Sequence, residues 1–322
     1  MSILSRIRKR ILSANINREY ELRLKAGYKY LFRREQVPTL VISCLDGRAA
    51  VAGFADRLRG MVSCYAYAKA TGTPFRIEHI DPFDLEEFLT PNSYDWRLKE
   101  GEKSYNLRYA RPLFMIQDSP GKKCMRLFRV RKPQLHLYTN ANYIDEINRL
   151  QNTNYRFDEL YKELFRPSLT LESILNSHRS RLNSEGIGFV SVSFRFMQLM
   201  GDFTDSWGIV LPDNEKTELL SRSLSIVRHL YEREKRRVFV TADSQSFLDE
   251  VAKMDFVYVA PGKVGHIGYS KGTDVYEKMF VDFCLISEAD HVYLARSGKM
   301  YRSNFARTAA MSSNKPFDEI IY

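Results

Sequence analysis

The chain has 322 residues, enough for two domains of ordinary size, and with 44% hydrophobic and 27% charged residues it is neither fibrous nor largely disordered. Lys and Arg number 49 against 39 Asp and Glu, a net charge of +10. No apolar run approaches the roughly 18 residues of a spanning helix. The N-terminus has no apolar core of the kind a secretion signal needs, so the chain reads as neither integral to a membrane nor secreted.

The charge is uneven. Residues 1–35 carry ten basic side chains against three acids (Glu19, Glu21, Glu35), which leaves little of the excess for the rest of the chain. Ile3, Leu4, Ile7, Ile11 and Leu12 recur there at helical spacing, so the segment reads as a basic amphipathic helix. Such a helix either lies on an anionic membrane surface or packs, solvated, on the domain. VPTLVISC (37–44) then reads as a strand, 56–71 as a helix ended by Gly72, and 74–80, 112–117 and 135–140 as further strands. The basic cluster Lys122 to Lys132 falls in a stretch that reads as an edge strand. Residues 143–180 look helical, interrupted at Pro167, and form the inter-domain region.

The second half alternates more regularly. Strands at 187–194, 237–242, 256–260 and 291–295 are separated by helices at 214–234, 244–253 and 273–287, and a closing helix lies near 303–312. Strand–helix alternation in both halves predicts α/β architecture with parallel sheets, built twice. In such sheets ligands bind at the carboxyl ends of strands, so the loops after 44, 194, 242 and 295 are the ones to inspect.

Cys44, Cys64, Cys124 and Cys284 are at least twenty residues apart, which argues against a zinc site and for reduced thiols in a cytoplasmic protein. GxGxxG, GxxxxGK[ST], GxSxG and HExxH are all missing from the sequence, so no familiar dinucleotide, P-loop, hydrolase or metalloprotease signature applies. GFADRLRGM (53–61) leads small residues into a helix whose first N–H groups could face an anion, or simply pack closely. Arg195 leaves an apolar strand and needs a partner, either a ligand anion or a carboxylate such as Asp202 or Asp205. Asp243 and Ser244 open a helix with ordinary capping chemistry. RSGKMYRSNFARTA (296–309) places Ser, Gly, Lys and Arg before another helix start. His266 could meet a base or be structural, and Trp96 and Trp207 could stack on a ligand or fill a core.

Together these segments resemble the GDP-fucose-dependent fucosyltransferase-like superfamily, in its O-fucosyl and alpha-1,2 and alpha-1,6 groups. GFADRLRGM looks like its small-residue, Asp, Arg-Leu motif and VSVSFRF like its His-x-Arg strand. VFVTADSQSFLDEVAK is similar to its Thr-Asp-Ser segment, and DFCLISEADHVYLARSGKMYRSNFARTAA resembles its closing segment and Ser-Ser-Phe-Ser turn. The order and spacing agree over residues 40–312. Ser193 stands where the family has His, Ala55 where it has Gly, and Asn304 where a second Ser is common.

The resemblance implies a GT-B glycosyltransferase: two Rossmann-like domains with parallel sheets facing across a cleft. A basic segment 1–35, an N-terminal acceptor domain 36–180 and a C-terminal nucleotide-sugar domain 181–322 are expected. The implied chemistry is inverting, with no cofactor and no metal, and transfers a sugar, GDP-fucose being the implied donor, to an oligosaccharide or lipid-linked glycan in cell-surface polysaccharide synthesis. Arg195 matches the arginine on the donor diphosphate, while Ser303, Asn304 and Phe305 match the phosphate turn. Asp243 and Ser244 match the Thr-Asp-Ser turn, and Gly53, Asp56 and Arg57 the N-domain loop. A carboxylate would deprotonate the acceptor; Asp46, Asp56, Asp202 and Asp205 are candidates, with Asp46 favoured. His266 would contact the nucleotide. A peripheral position on the inner membrane face through residues 1–35 is expected, and no nucleic acid. Two other readings remain at this stage: a polyanion-binding or nucleic-acid-binding protein, on the strength of the charge, and a catalytically inactive GT-B scaffold.

Overall fold

The computed structural model describes residue 19 and residues 22–24, 26–49, 53–115, 120–183, 186–203, 208–265 and 272–322, and of 120–123 the backbone alone. The basic segment 1–18, Asp205, Trp207 and His266 lie outside these residues. The chain divides into two compact units, Met1–Arg166 and Pro167–Tyr322, at the proline that interrupts the helical run.

The N-terminal unit is organised by strands β1 (Leu40–Leu45), β2 (Phe75–His79), β4 (Ala110–Met115) and β5 (Gln134–Thr139), ordered β2-β1-β5-β4. Every pairing is parallel. All six residues of β1 are buried, as expected of a parallel strand covered on both faces. Helix α1 (Phe54–Ala70) follows β1 and is buried nearly all round, from Phe54 to Ala68. It can lie close to β5 because Gly60 has no Cβ; one placed there would fall 2.1 Å from the Thr139 carbonyl oxygen. Helices α2 (Pro120–Leu127), α3 (Ile144–Gln151) and α4 (Phe157–Leu164) complete the unit. A small two-stranded sheet joins β3 (Leu89–Pro91) to β6 (Phe165–Pro167).

In the C-terminal unit, strands β7 (Phe189–Phe194), β8 (Arg237–Ala242), β9 (Val257–Tyr258), β10 (His291–Arg296) and β11 (Phe317–Ile321) form a sheet ordered β11-β10-β7-β8-β9. It is again parallel throughout. Helices α5 (Leu169–Leu182), α6 (Asp213–Glu234), α7 (Gln245–Val251), α8 (Thr273–Glu288) and α9 (Phe305–Ser312) connect and cover it. The strand order is that of a Rossmann-like half, reversing direction between β7 and β10. In the N-terminal unit the corresponding switch falls between β1 and β5.

The structure corrects two readings of the sequence. Residues 120–127 are helical rather than an edge strand. The strands at 89–91, 165–167 and 317–321 were not anticipated, being short or, in β11, half-exposed and charged at the sheet edge. Among the described residues no helix is long and apolar enough to cross a membrane.

Candidate functional site

In the C-terminal unit, Arg195 follows directly on β7. Its neighbours Phe194 and Phe196 are buried and both pack on Phe247 of α7, at ring distances of 4.7 and 5.1 Å, which fixes the backbone between them. The Arg195 side chain is 19% exposed, and its Nη1 donates to Asp243 Oδ2 at 2.9 Å. Its guanidinium also lies over the Phe203 ring, 4.8 Å from the centroid. Asp243, at the end of β8, accepts the backbone N–H groups of Phe196 and Met197 at 2.7 and 2.8 Å. Burial pushes the Asp243 carboxyl up, against the opposing pull of Arg195 and these N–H groups. Of the carboxylates considered from the sequence, Asp202 is engaged elsewhere and Asp205 lies outside the described residues; the structure shows Asp243 as a partner of Arg195.

Asp202 does different work. Its Oδ2 accepts from the Ser244 and Ser246 hydroxyls at 2.9 and 2.8 Å and from the Ser246 N–H at 2.8 Å. Ser244 in turn caps α7, accepting the Phe247 N–H at 3.3 Å. Asp202 and Ser244 thus tie the loop after β7 to the start of α7. Ser193, where the resembled family has His, pairs with Thr241 across β7 and β8, hydroxyl to hydroxyl at 2.7 Å.

The turn before α9 belongs to the same end of the sheet. The Tyr301 N–H donates to the Arg195 carbonyl at 3.1 Å, so the loop after β10 is stitched to the residue after β7. Ser303 Oγ accepts the Phe305 N–H at 3.2 Å, and Asn304 occupies the N-cap without a side-chain cap bond. The Phe305 ring meets Phe283 edge-on at 5.6 Å. From the other side, Glu319 of β11 anchors the loop through Arg296 and Arg302, and this pairing holds its carboxyl well below the usual range, at about 2. Arg195, Asp243, Ser244 and residues 303–305 therefore converge at the strand ends where the sheet changes direction, the place a doubly wound sheet offers a ligand.

In the N-terminal unit, Asp46 stands at the end of β1. Its side chain is 4% exposed, and Oδ2 accepts the Tyr138 hydroxyl at 2.9 Å and Lys103 Nζ at 3.2 Å. Oδ1 accepts the Arg48 N–H at 3.2 Å. Lys103 also contacts Glu78, bridging the ends of β1 and β2. Burial opposes the Lys103 ammonium, yet the surrounding Cys44, Tyr28, Glu78 and Asp46 hold it above the ordinary lysine range.

A polar ladder along one face of β5 supports Asp46. Gln134 Nε2 donates to the Pro38 and Glu102 carbonyls, so its Oε1 is left to accept, from the Ser104 N–H at 2.8 Å and from His136 Nε2 at 3.1 Å. That puts the imidazole proton on Nε2 and leaves Nδ1 to accept the Tyr28 hydroxyl at 2.7 Å. Burial, then Lys103 and Arg48, hold His136 neutral, with its pKa at about 3. Sequence reasoning missed Lys103, Glu78, Tyr28 and the ladder. The signal was there in β5, where Gln134, His136 and Tyr138 alternate with Leu135 and Leu137.

Beside Glu78 and Lys103 opens a cavity of about 430 Å³, lined also by His79, Glu86, Trp96 and Tyr105. His79 is 3% exposed and faces the Phe83 carbonyl at 3.1 Å through Nδ1, which must therefore carry the proton; its Nε2 has no partner. Gly53, Asp56 and Arg57 are placed at the start of α1. Gly53 is its N-cap, Asp56 pairs with Arg59, and the buried Arg57 donates to the Asp81 carbonyl. Among the described residues no group of three His, Cys, Asp or Glu is placed to hold a metal ion.

Two Rossmann-like units with switch-point sites define a GT-B-like α/β fold. Solved structures share it. A mutant of Arabidopsis thaliana FUT1 in complex with GDP matches with a TM-score of 0.59 at 12% identity, over 93% of this chain and 74% of that one. NodZ alpha-1,6-fucosyltransferase soaked with GDP-fucose matches with 0.54 at 15% identity, over 85% and 92%. The fucosyltransferase NodZ from Bradyrhizobium matches with 0.52 at 15% identity. No protein-family model matches the sequence, and no curated protein matches it.

Proposed function

We propose that this protein is an inverting, metal-independent glycosyltransferase that moves fucose from GDP-fucose to a hydroxyl of an oligosaccharide or lipid-linked glycan. The observation that carries the reading is the convergence of Arg195, Asp243 and the 297–304 loop at the β7/β10 switch point, in a chain whose fold matches structures bearing GDP and GDP-fucose. The same resemblance assigns the acceptor domain to 36–180 and the nucleotide-sugar domain to residues from 181 onward, whereas the compact units divide at Arg166 and Pro167.

Breaking the sugar–diphosphate bond leaves negative charge on the departing phosphate. The Arg195 guanidinium, the Ser303 hydroxyl and the first N–H groups of α9 supply positive ends to receive it, and Asp243 keeps the guanidinium from turning away. Asn304, Phe305 and Ser244 shape the same end, and His266 contacts the nucleotide. Asp202 holds the loop through three donors at α7; Asp46 also holds three donors, and the base role is given to it for its place at the end of β1 in the unit that takes the acceptor. In the N-terminal unit Asp46 takes the proton of the attacking hydroxyl as the new glycosidic bond forms. Gly53, Asp56 and Arg57 line that end of the unit. The adjacent cavity suits a sugar: the Glu78 and Glu86 carboxylates accept hydroxyl hydrogen bonds, and Lys103 donates. The enzyme works in polysaccharide synthesis at the cytoplasmic face of a membrane, reached through residues 1–35.

The test is release of GDP from GDP-fucose in the presence of a panel of oligosaccharide acceptors. Acceptor-dependent release by the wild type, lost in Asp46→Asn with GDP binding intact, supports the assignment. Equal turnover by Asp46→Asn removes the base role, and no turnover with any nucleotide sugar removes the enzyme reading.

A further inference from the structure

The strands of the N-terminal unit also have amino ends, and these gather an unusual surface. Three segments meet there: 28–38, leading into β1; 105–112, leading into β4; and 128–134, leading into β5. Together they hold eight Lys and Arg and a single acid, Glu35. Glu35 is already committed to Arg33, the Ser104 hydroxyl and the Asn106 amide. Arg33, Arg34, Arg108, Arg111, Arg131 and Lys132 are all exposed.

Hydrogen bonds show that the segments form one surface. Arg108 Nη1 donates to the Phe32 carbonyl at 3.0 Å, and Lys132 Nζ donates to the Arg108 carbonyl at 3.0 Å. In the middle of this positive field stand two aromatic rings that the fold does not cover. Phe32 is 84% exposed and Tyr30 58%, packed edge-on against each other at 5.4 Å. An exposed aromatic pair ringed by arginines costs solubility and gains nothing within the unit.

We infer that this face docks on an anionic lipid bilayer, with Phe32 and Tyr30 entering the headgroup layer and the arginines lying over the phosphates. The inference builds on the membrane association proposed for residues 1–35 and moves its main contact onto the folded unit. Aromatic rings favour the interfacial layer, and clustered basic residues favour anionic headgroups. A nucleic-acid face would use the same charge, but uncovered Phe and Tyr beside a basic field match the amphipathic boundary of a bilayer better than a phosphate backbone alone.

The experiment is co-sedimentation of the full-length protein with phosphatidylcholine vesicles and with vesicles containing phosphatidylglycerol, at low and high salt. Two variants are compared, Arg108→Glu/Lys132→Glu and Tyr30→Ser/Phe32→Ser, each checked by GDP release on a soluble acceptor. The expected result is binding to the anionic vesicles alone, weakened by salt. Charge reversal should weaken it about thirtyfold or more, and the aromatic variant should lower it at both salt concentrations while turnover is kept. Wild-type protein that ignores anionic vesicles would overturn membrane association as a whole. Binding that survives in both variants would overturn the docking face alone and leave the contact with residues 1–18. Equal binding of DNA, insensitive to Tyr30→Ser/Phe32→Ser, would overturn the lipid assignment in favour of a nucleic acid.

Discussion

Arg195 Nη1 and Asp243 Oδ2 lie 2.9 Å apart, and the same carboxylate accepts two N–H groups from the residues just after the arginine. One aspartate thus fixes both the charge and the backbone that presents it. A guanidinium at the end of an apolar strand is thereby given a buried countercharge and a fixed backbone.

Removing the arginine should therefore be felt twice. Arg195→Ala leaves Asp243 buried without its countercharge, at a cost of about 3–5 kcal/mol in unfolding free energy. Turnover should fall about 10²–10³-fold. Arg195→Lys separates the effects, keeping most of the stability while losing the planar two-point donor. Urea unfolding beside steady-state GDP release measures both; a stable and fully active Arg195→Ala would contradict the assignment.

Lys103 bridges Asp46 and Glu78 inside the N-terminal unit, with side-chain exposures of 6, 4 and 14%. Lys103→Met strands two carboxylates and should destabilise the fold by about 3–5 kcal/mol at neutral pH. Urea unfolding of Lys103→Met beside Lys103→Met/Asp46→Asn/Glu78→Gln gives the comparison, and a triple variant no more stable than the single one would show that packing, not charge, is at stake.

His79 and His136 are each held neutral by burial, at about 3. Their folded pKa values lie below the ordinary 6.5, so the stability they contribute is complete above about pH 6.5 and is lost as pH falls towards 3. At pH 5 the loss is about 2 kcal/mol for each. Nuclear magnetic resonance should find both imidazoles unprotonated at pH 5, while unfolding free energy already declines from its value at pH 7. A normal titration of either ring near 6.5 would contradict the burial argument.

Much of this architecture was legible before any coordinates. The long β-branched strands and the helices with a clear apolar stripe stand within a few residues of where periodicity puts them, because both faces of each sheet are covered. Arg195 was conspicuous for the same reason, a cation at the end of an apolar strand. Its partner was not legible, since Asp243 is nearly fifty residues away and meets it only when β7 and β8 pair in register. Lys103 carries no local signal at all. It sits in a loop, and its meaning comes from two carboxylates on different strands. Residues 120–127 misled because alternating basic and apolar residues suit a strand as well as a short helix.

Gly60 is the tightest point of that covered sheet. Gly60→Ala would set a Cβ 2.1 Å from the Thr139 carbonyl oxygen, where only backbone can give way. A loss of about 1–3 kcal/mol or more is expected, visible as a lower urea midpoint with an unchanged slope. A neutral substitution would mean that α1 rides further from β5 than described.

The central claim is that the β7/β10 switch point holds a guanosine diphosphate through Arg195 and the 297–304 loop. Calorimetric titration of GDP, UDP, CDP and ADP into the wild type and Arg195→Lys tests it most directly. The account predicts saturable binding of GDP alone, weakened at least about tenfold in the variant, a difference of about 1.4 kcal/mol. Absence of binding by any nucleotide, or GDP binding of equal strength in Arg195→Lys, would contradict it.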